Sequence, residues 1–166
     1  MTSSAKTSTN KSTLGSKLRD TDFEIPADAI TSTIRHRVNF HETDAMGIVH
    51  HANFIRFLEQ GRIGFIAEHH RPYTEFIASG NHFAVTHVSC QYQKPARFYE
   101  WIDIRVALRW VRGASLCFLY ELRRDDDLLV TAITEHALVD DEGRVRRIPR
   151  DLLDPLRKLV CDADPA

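Results

Sequence analysis

The sequence predicts an α+β domain in which a long helix packs on a curved antiparallel sheet. Residues 52–70 place apolar side chains at three- and four-residue spacing, which is typical of an α-helix. After residue 83 the apolar period changes to two, which is typical of β-strands. Strand and helix patterns do not alternate along the chain, so a doubly wound parallel sheet is not expected.

The first predicted elements are one strand and the long helix. Residues 31–40 are rich in β-branched side chains and predict the strand. The 52–70 helix is apolar around much of its circumference, so other structure should wrap it. Gly61 and Gly64 would permit a close approach between this helix and a sheet, because glycine has no side chain.

The remaining elements are strands and two short helices. Pro72 ends the long helix, and residues 73–79 predict a second helix before a Gly-Asn turn. A C-terminal helix is predicted within residues 149–160. The strands are predicted over residues 83–92, 101–110, 116–122 and a final segment that ends at Val139. In the second of these, one face is expected to carry Ile102, Ile104, Val106, Leu108 and Trp110.

The chain of 166 residues is expected to form one domain with tails. Residues 1–20 are dominated by Ser, Thr, Lys and Asn, and two leucines are their large apolar side chains after Met1. Such a segment cannot offset the entropy of ordering, so residues 1–30 are predicted to be a disordered tail. The domain is predicted over residues 31–145, and residues 146–166 are predicted to hold a helix and a tail.

Composition excludes several classes of partner. The formal net charge is −1, so no global field attracts nucleic acid or an anionic membrane. No apolar run approaches the roughly 18 residues of a membrane span, so membrane insertion is not expected. Cys90, Cys117 and Cys161 lack CxxC spacing, which argues against a disulfide framework or a zinc site. The same cysteine usage fits a reducing cytosol and predicts a cytoplasmic location.

A polar loop containing glycine joins the first strand to the long helix. It places Asp44 just before the first turn of that helix. Backbone N–H groups in a first helical turn lack intrahelical acceptors and carry partial positive charge, so they suit an oxygen that becomes negative during a reaction. A carboxylate beside such donors is the minimal equipment for hydrolysing an activated acyl group. A purely structural alternative for Asp44 is an Asx-turn.

The loop and the helix start also carry a family signature. Its residues are Phe40, Asp44, Gly47, Ile48, Val49, Asn53 and Phe54, with further similarity at Lys94-Pro95-Ala96-Arg97 and Arg112-Gly113-Ala114-Ser115. This pattern resembles the signature of the 4-hydroxybenzoyl-CoA thioesterase family of hotdog-fold enzymes, which includes the acyl-CoA thioesterases of the Tol-Pal cluster. The resemblance extends over residues 34–139.

The resemblance implies a hotdog fold over residues 31–145, that is, a long helix wrapped by an antiparallel sheet. It implies an acyl-CoA thioesterase without a cofactor, because coenzyme A (CoA) is part of the substrate. Such folds pair into dimers with continuous sheets and interfacial active sites, so a homodimer that assembles into a homotetramer is expected. By position, Asp44 matches the catalytic carboxylate, and His51 matches the residue whose backbone N–H polarises the thioester carbonyl.

Three residues are predicted to act in catalysis. Asp44 would attack the thioester carbonyl and form a mixed anhydride, or would activate a water as general base, and the sequence leaves both routes open. Gly47 would supply a backbone shape that a side chain would block, or would be a simple turn glycine. The His51 imidazole is either a polar group of the site or a hydrogen-bond partner of its own loop.

Five residues are predicted to bind substrate. Lys94, Arg97 and Arg112 lie in or beside turns, where long basic side chains reach the phosphates of CoA. The Arg112 segment also resembles the family's phosphate-contacting turn. Phe54 lines an aromatic acyl pocket or fills the core. Glu59 faces the acyl pocket across a dimer, or forms a salt bridge within its own helix.

Two departures from the family pattern bear on the substrate. Phe40 stands where the Tol-Pal branch has Tyr, and Phe98-Tyr99-Glu100 replaces the usual Gly-Asp or Asp-Asp turn. Two other functions stay open: a non-catalytic acyl-CoA-binding hotdog module, and a hotdog hydratase or dehydratase, which would need a catalytic histidine with a paired acid. No metal site is predicted, because no H-x3-H pair lies on one helix face.

Overall fold

The computed structural model describes residues 23–161 and has the predicted α+β architecture. The strands are β1 Thr31–Arg37, β2 His82–Tyr92, β3 Trp101–Val111, β4 Ser115–Arg124 and β5 Asp127–Val139. They form one antiparallel sheet in the order β1-β3-β4-β5-β2. The helices are α1 His51–His69, α2 Tyr73–Ala78 and α3 Arg150–Arg157, and a 3-10 turn spans Phe40–Glu42. No helix within residues 23–161 is long and apolar enough to cross a membrane.

The main core lies between α1 and one face of the sheet. α1 buries Phe54, Phe57, Leu58 and Phe65 at helical spacing, and the strands supply alternate residues such as Ile104, Val106 and Phe118. Full burial of one such side chain is worth about 1.5–3 kcal/mol. The broad apolar surface of the helix is therefore enclosed, as its sequence predicts.

Glycine sets the distance between α1 and the sheet. A Cβ atom on Gly61 would lie 2.7 Å from Val106 Cγ2 and 2.9 Å from Ile104 Cγ2, closer than side chains normally approach. A Cβ atom on Gly64 would meet the end of the Ile34 side chain on β1. The predicted close approach of the helix to a sheet is confirmed at both glycines.

The segment that precedes β1 covers the opposite face of the sheet. Phe23 and Ile25 are buried there with Cys117, Leu119 and other residues that point away from α1. The prediction of a disordered tail over residues 1–30 is therefore wrong for residues 23–30, while residues 1–22 lie outside the described residues. Two apolar residues in one short alternation give too weak a pattern to recognise from sequence.

The prediction that Trp110 shares a face with the earlier apolar residues of β3 is wrong. The earlier apolar residues of β3 share the core face as expected, but Trp110 packs on the opposite face of the sheet. The β3–β4 register shifts between Leu108 and Trp110, because Arg109 is an extra residue without a counterpart on β4. A shift of one residue moves the following side chain to the other face.

The C-terminal helix belongs to the domain. Leu152 and Leu156 of α3 are buried in the main core, and the chain beyond it donates from the Cys161 amide to the Leu108 carbonyl at 3.0 Å. The helix predicted within residues 146–166 therefore packs into the same core as residues 31–145.

Replacing Gly61 by Ala should destabilise the fold. Overpacking against Val106 and Ile104 costs about 1–3 kcal/mol, which is more than the roughly 1 kcal/mol that alanine gains over glycine within a helix. Urea unfolding measures the difference. Gly113→Ala is the matched control, because a Cβ atom there would have no described atom within 4 Å. A Gly61→Ala protein as stable as wild type would contradict the account of the helix–sheet contact.

Candidate active site

The loop between the 3-10 turn and α1 is a tight turn closed by backbone bonds. The Asp44 amide donates to the Ile48 carbonyl, and the Gly47 amide donates to the Asp44 carbonyl, both at 2.9 Å. Gly47 has a φ of +70°, a conformation that side chains disfavour. The Asp44 carboxylate accepts from the Met46 amide through Oδ1 at 2.8 Å. Within residues 23–161 its second oxygen, Oδ2, has no hydrogen-bond partner, so it stays available to a ligand.

The first turn of α1 faces the same loop. His50 precedes the helix and caps it, because its Nδ1 accepts from the Ala52 amide at 3.2 Å. His51 is the first helical residue, where a backbone N–H has no intrahelical acceptor. In the part of the chain that the structure describes, no group accepts from this N–H. The side chain that caps this helix is thus that of His50 and not that of His51.

Asp44 and His51 line one cavity of about 420 Å³. It lies where the loop, the start of α1 and the end of β2 meet. Its other walls are formed by Met46, Ile48, Val49, Phe54, Tyr92, Gln93, Lys94 and Pro95. The cavity therefore brings together a carboxylate, an unpaired backbone donor and a largely apolar wall. Such a set can hold a carbonyl group and stabilise negative charge on its oxygen.

Several predicted site residues lie at or near this cavity. Phe54 is in its wall and is also buried in the core. Lys94 is in the wall and forms an ion pair with Asp127. Gly47 lies beside Arg97, whose Nη1 would be 4.0 Å from a Cβ atom on that glycine. Of the two basic side chains in the Lys94–Arg97 turn, Lys94 thus borders the cavity and Arg97 lies beside the loop that contains Gly47.

Two predicted substrate-binding residues lie elsewhere in the single chain. Glu59 lines a separate cavity with Arg62, to which it forms an ion pair at 3.8 Å. Arg112 is in the β3–β4 turn, where its guanidinium lies 4.4 Å from the centre of the Trp110 ring. Neither residue borders the Asp44 cavity within its own chain.

Glu42, which the sequence did not single out, holds the site together. Its buried carboxylate accepts from the Asn39 amide at 2.7 Å and bonds His36 Nε2 at 2.9 Å. Its backbone carbonyl accepts from the His50 amide at 2.9 Å and from Asn53 Nδ2 at 2.8 Å. Burial raises the pKa of Glu42, but the bonds from Asn39 and His36 outweigh it and lower the pKa overall. Glu42 thereby links β1, the 3-10 turn and the start of α1.

A sequence signal for this arrangement exists in the spacing of Asn39 and Glu42. An Asn three residues before a Glu is a capping-box pattern, and the Asn39 amide donates to the Glu42 carboxylate as that pattern predicts, while the Glu42 amide donates to the Asn39 carbonyl at 3.1 Å. The predicted strand over residues 31–40 is too long for this reason. β1 ends at Arg37 and the capped 3-10 turn follows.

Tyr92 is a second residue that the sequence did not identify as part of the site. Its hydroxyl donates to the His51 carbonyl at 3.3 Å and its ring meets Phe54 edge-on at 5.7 Å. Burial, followed by the neighbouring Cys90, raises the pKa of Tyr92 to about 12, so the hydroxyl remains a donor at neutral pH. Because Tyr92 lies far from His51 in sequence, no local motif indicates their contact.

The fold and the site define a class of protein. A long helix enclosed by an antiparallel sheet, with a carboxylate loop at the helix start, is the arrangement of hotdog-fold thioesterases. Residues 38–156 match the profile of the thioesterase-like superfamily. The chain belongs to this family, and the predictions of a hotdog fold and a thioester hydrolase are confirmed at that level.

Individual relatives support the assignment. The acyl-CoA thioester hydrolase YbgC of Escherichia coli is 30% identical over 94 residues, which cover 57% of this chain and 70% of YbgC. The structure of TT1821 from Thermus thermophilus has 32% identity and a TM-score of 0.76, and the match covers 80% of this chain and 100% of TT1821. Slr0204, a 1,4-dihydroxy-2-naphthoyl-CoA thioesterase from Synechocystis, shares the fold at 21% identity and a TM-score of 0.68, over 82% of this chain and 99% of Slr0204.

Replacing Asn53 by Ala should impair turnover more than substrate binding. The change removes the bond from Nδ2 to the Glu42 carbonyl, which fixes the first turn of α1 against the Asp44 loop. Small displacements of reacting groups cost about ten- to a hundredfold in rate. We expect kcat for thioester hydrolysis to fall by about tenfold with KM nearly unchanged.

Asn81→Ala is the matched control for this experiment. The Asn81 side chain also makes hydrogen bonds, to Ser79, but in an exposed turn away from the cavity. Its kcat should equal that of wild type. Equal kcat values for Asn53→Ala and wild type would show that the Glu42 carbonyl does not position the site.

Proposed function

We propose that this protein is an acyl-CoA thioesterase in which Asp44 is the catalytic carboxylate and the His51 backbone N–H is the oxyanion donor. The observation that carries the proposal is their position in one cavity, with Asp44 Oδ2 and the His51 N–H both without intramolecular partners in the described chain. The names of relatives such as YbgC support acyl-CoA as the substrate class.

The chemistry assigns a task to each group. The thioester carbonyl oxygen would accept from the His51 N–H at the positive end of α1, where developing negative charge is stabilised. Asp44 would either attack the carbonyl carbon itself or take a proton from an attacking water. In both routes the carbon–sulfur bond breaks, and CoA leaves as a thiolate that is protonated afterwards. In the first route water then hydrolyses the mixed anhydride and releases the acid.

We also propose that the chain forms a homodimer through β2, with further assembly into a tetramer. β2 is an edge strand of 11 residues that contains no Asp, Glu, Lys or Arg, and its Val85 is 56% exposed. Long edges of this kind are normally blunted by charge unless another strand pairs with them. Antiparallel pairing of two β2 strands would extend the sheet across the dimer.

Such a dimer would bring Arg112 to the active site of the second copy. Ser115 pairs with Ala137, and Val139 pairs with His82, so the β3–β4 turn lies at the His82 end of β2. The Asp44 cavity lies at the opposite end of that strand. Antiparallel pairing places unlike ends of the two β2 strands side by side. Arg112 of one copy would then lie near the cavity of the other, where with Lys94 and Arg97 it would bind the phosphates of CoA.

Asp44→Asn should abolish hydrolysis of acyl-CoA while the protein stays folded. The amide can neither attack the thioester nor accept a proton from water, so we expect kcat to fall by about a thousandfold or more, the scale at which such groups contribute. Release of free thiol measures turnover, and thermal unfolding verifies the fold. Asp126→Asn, in the exposed β4–β5 turn, is the matched control. Normal turnover by Asp44→Asn would refute the assignment.

Arg112→Glu should weaken binding of CoA but not of a truncated thioester. We expect KM for acyl-CoA to rise by about tenfold, since a charge-assisted bond to phosphate becomes a repulsion. KM for the corresponding acyl-pantetheine, which lacks the nucleotide, should change little. Arg150→Glu, at an exposed arginine of α3, controls for net charge. An equal rise in both KM values would rule out the phosphate role.

A further inference from the structure

A second cavity, of about 130 Å³, lies between α1 and the edge strand β2. Apolar side chains form much of its wall, namely Ile55 and Leu58 of α1 and Val85 and Val88 of β2. Its remaining wall is polar: Arg62, Tyr120, Thr134 and His136 are buried, and Arg56 and Glu59 are exposed at its rim. A small cavity of this composition suits a ligand with a methylene chain and one polar end.

The polar wall contains a chain of buried hydrogen bonds on the sheet. The Tyr120 hydroxyl bonds Thr134 Oγ1 at 2.8 Å, and Thr134 Oγ1 bonds His136 Nε2 at 2.8 Å. Burial, together with the charge of Arg62, lowers the pKa of His136 to about 3, so the imidazole is neutral at physiological pH. This series of hydrogen bonds therefore supplies dipoles but no charge to the cavity.

Arg62 is the buried cation of this cavity, and it is weakly neutralised. Its side chain is only 4% exposed, yet its ion pair with Glu59 is 3.8 Å long and the Glu59 side chain is 62% exposed. Its one hydrogen bond within residues 23–161 joins Nη1 to the Tyr73 hydroxyl at 3.3 Å. A guanidinium has five donors, and burying its charge is costly without a close anion. The positive charge of Arg62 therefore makes this cavity suited to binding a carboxylate.

We propose that the Arg62 cavity binds a carboxylate at the far end of the acyl chain, so that the preferred substrates are acyl-CoA thioesters of dicarboxylic acids. This inference rests on the proposed thioesterase function. The planar guanidinium matches the two oxygens of a carboxylate. The apolar walls formed by Ile55, Leu58, Val85 and Val88 would enclose the methylene groups that precede it.

The two cavities lie within reach of one acyl chain. Phe54 lines the Asp44 cavity and Leu58 lines the Arg62 cavity, and the two residues are one turn of α1 apart. One turn advances the helix by about 5.4 Å. In the proposed dimer, pairing of two β2 strands would also bring the Arg62 cavity of one copy beside the Asp44 cavity of the other. The thioester and the distal carboxylate of one substrate would then occupy the two sites.

The test compares acyl-CoA pairs of equal chain length, in which one member ends in a carboxylate and the other in a methyl group. We expect wild-type kcat/KM to favour the carboxylate member by about tenfold or more at the best chain length, as a buried charge-assisted contact does. Arg62→Gln should reduce this ratio to about one. Glu59→Gln should raise it, because the change removes the carboxylate that competes for Arg62. Arg150→Gln, at an exposed arginine of α3 that lines neither cavity, should leave the ratio unchanged.

Several results would overturn the inference. One is a wild-type ratio near one at every chain length, which does not depend on whether Arg62→Gln folds. A second is a ratio that falls equally in Arg150→Gln and Arg62→Gln. A third is an unchanged ratio in Arg62→Gln together with loss of the dimer in sedimentation, which would assign Arg62 to an intersubunit contact. If no member of any pair releases CoA, the thioesterase proposal itself fails, and this outcome is distinct from the other three.

Discussion

The close contact between α1 and the sheet at Gly61 is the constraint on which the rest of the structure depends. Without a Cβ atom at this position the helix lies directly on Ile104 and Val106, and its long axis is fixed relative to β3. The start of the helix is then fixed beside the Asp44 loop, and its Ile55–Arg62 face is fixed beside β2. The Asp44 cavity and the Arg62 cavity therefore both depend on one contact in the core.

Glu42 fixes the loop of the candidate site relative to this core contact. His36, which bonds its carboxylate, also packs against Phe57 of α1 with ring centres 4.4 Å apart. The Glu42 carbonyl in turn accepts two bonds from the first turn of the same helix. The loop is thus held at both ends by groups that are themselves fixed in the core. Support of this kind, from residues that do not themselves line the cavity, is what the proposed oxyanion site would require.

Features that depend on neighbours in sequence were predictable, and features that depend on distant contacts were not. The apolar spacing of α1 and the alternation of the strands identified the fold class, and the loop around Asp44 identified the cavity because its residues are contiguous. Trp110 was misplaced because a bulge reverses strand faces without a signal in composition. Phe23 was assigned to a tail because its burial depends on strands that lie far along the chain. Tyr92 and Arg62 acquire their surroundings in the same way, through tertiary packing alone.

The uncharged edge strand also has a consequence for aggregation of the single chain. β2 presents its free backbone donors and acceptors together with Val85, and no Asp, Glu, Lys or Arg along its 11 residues opposes a foreign strand. A charge there would protect the newly made protein from aggregation, but it would equally obstruct self-pairing. In the proposed dimer the same surface would be both the pairing edge and a site of aggregation. Such a chain would be most exposed to misassociation between its synthesis and its pairing.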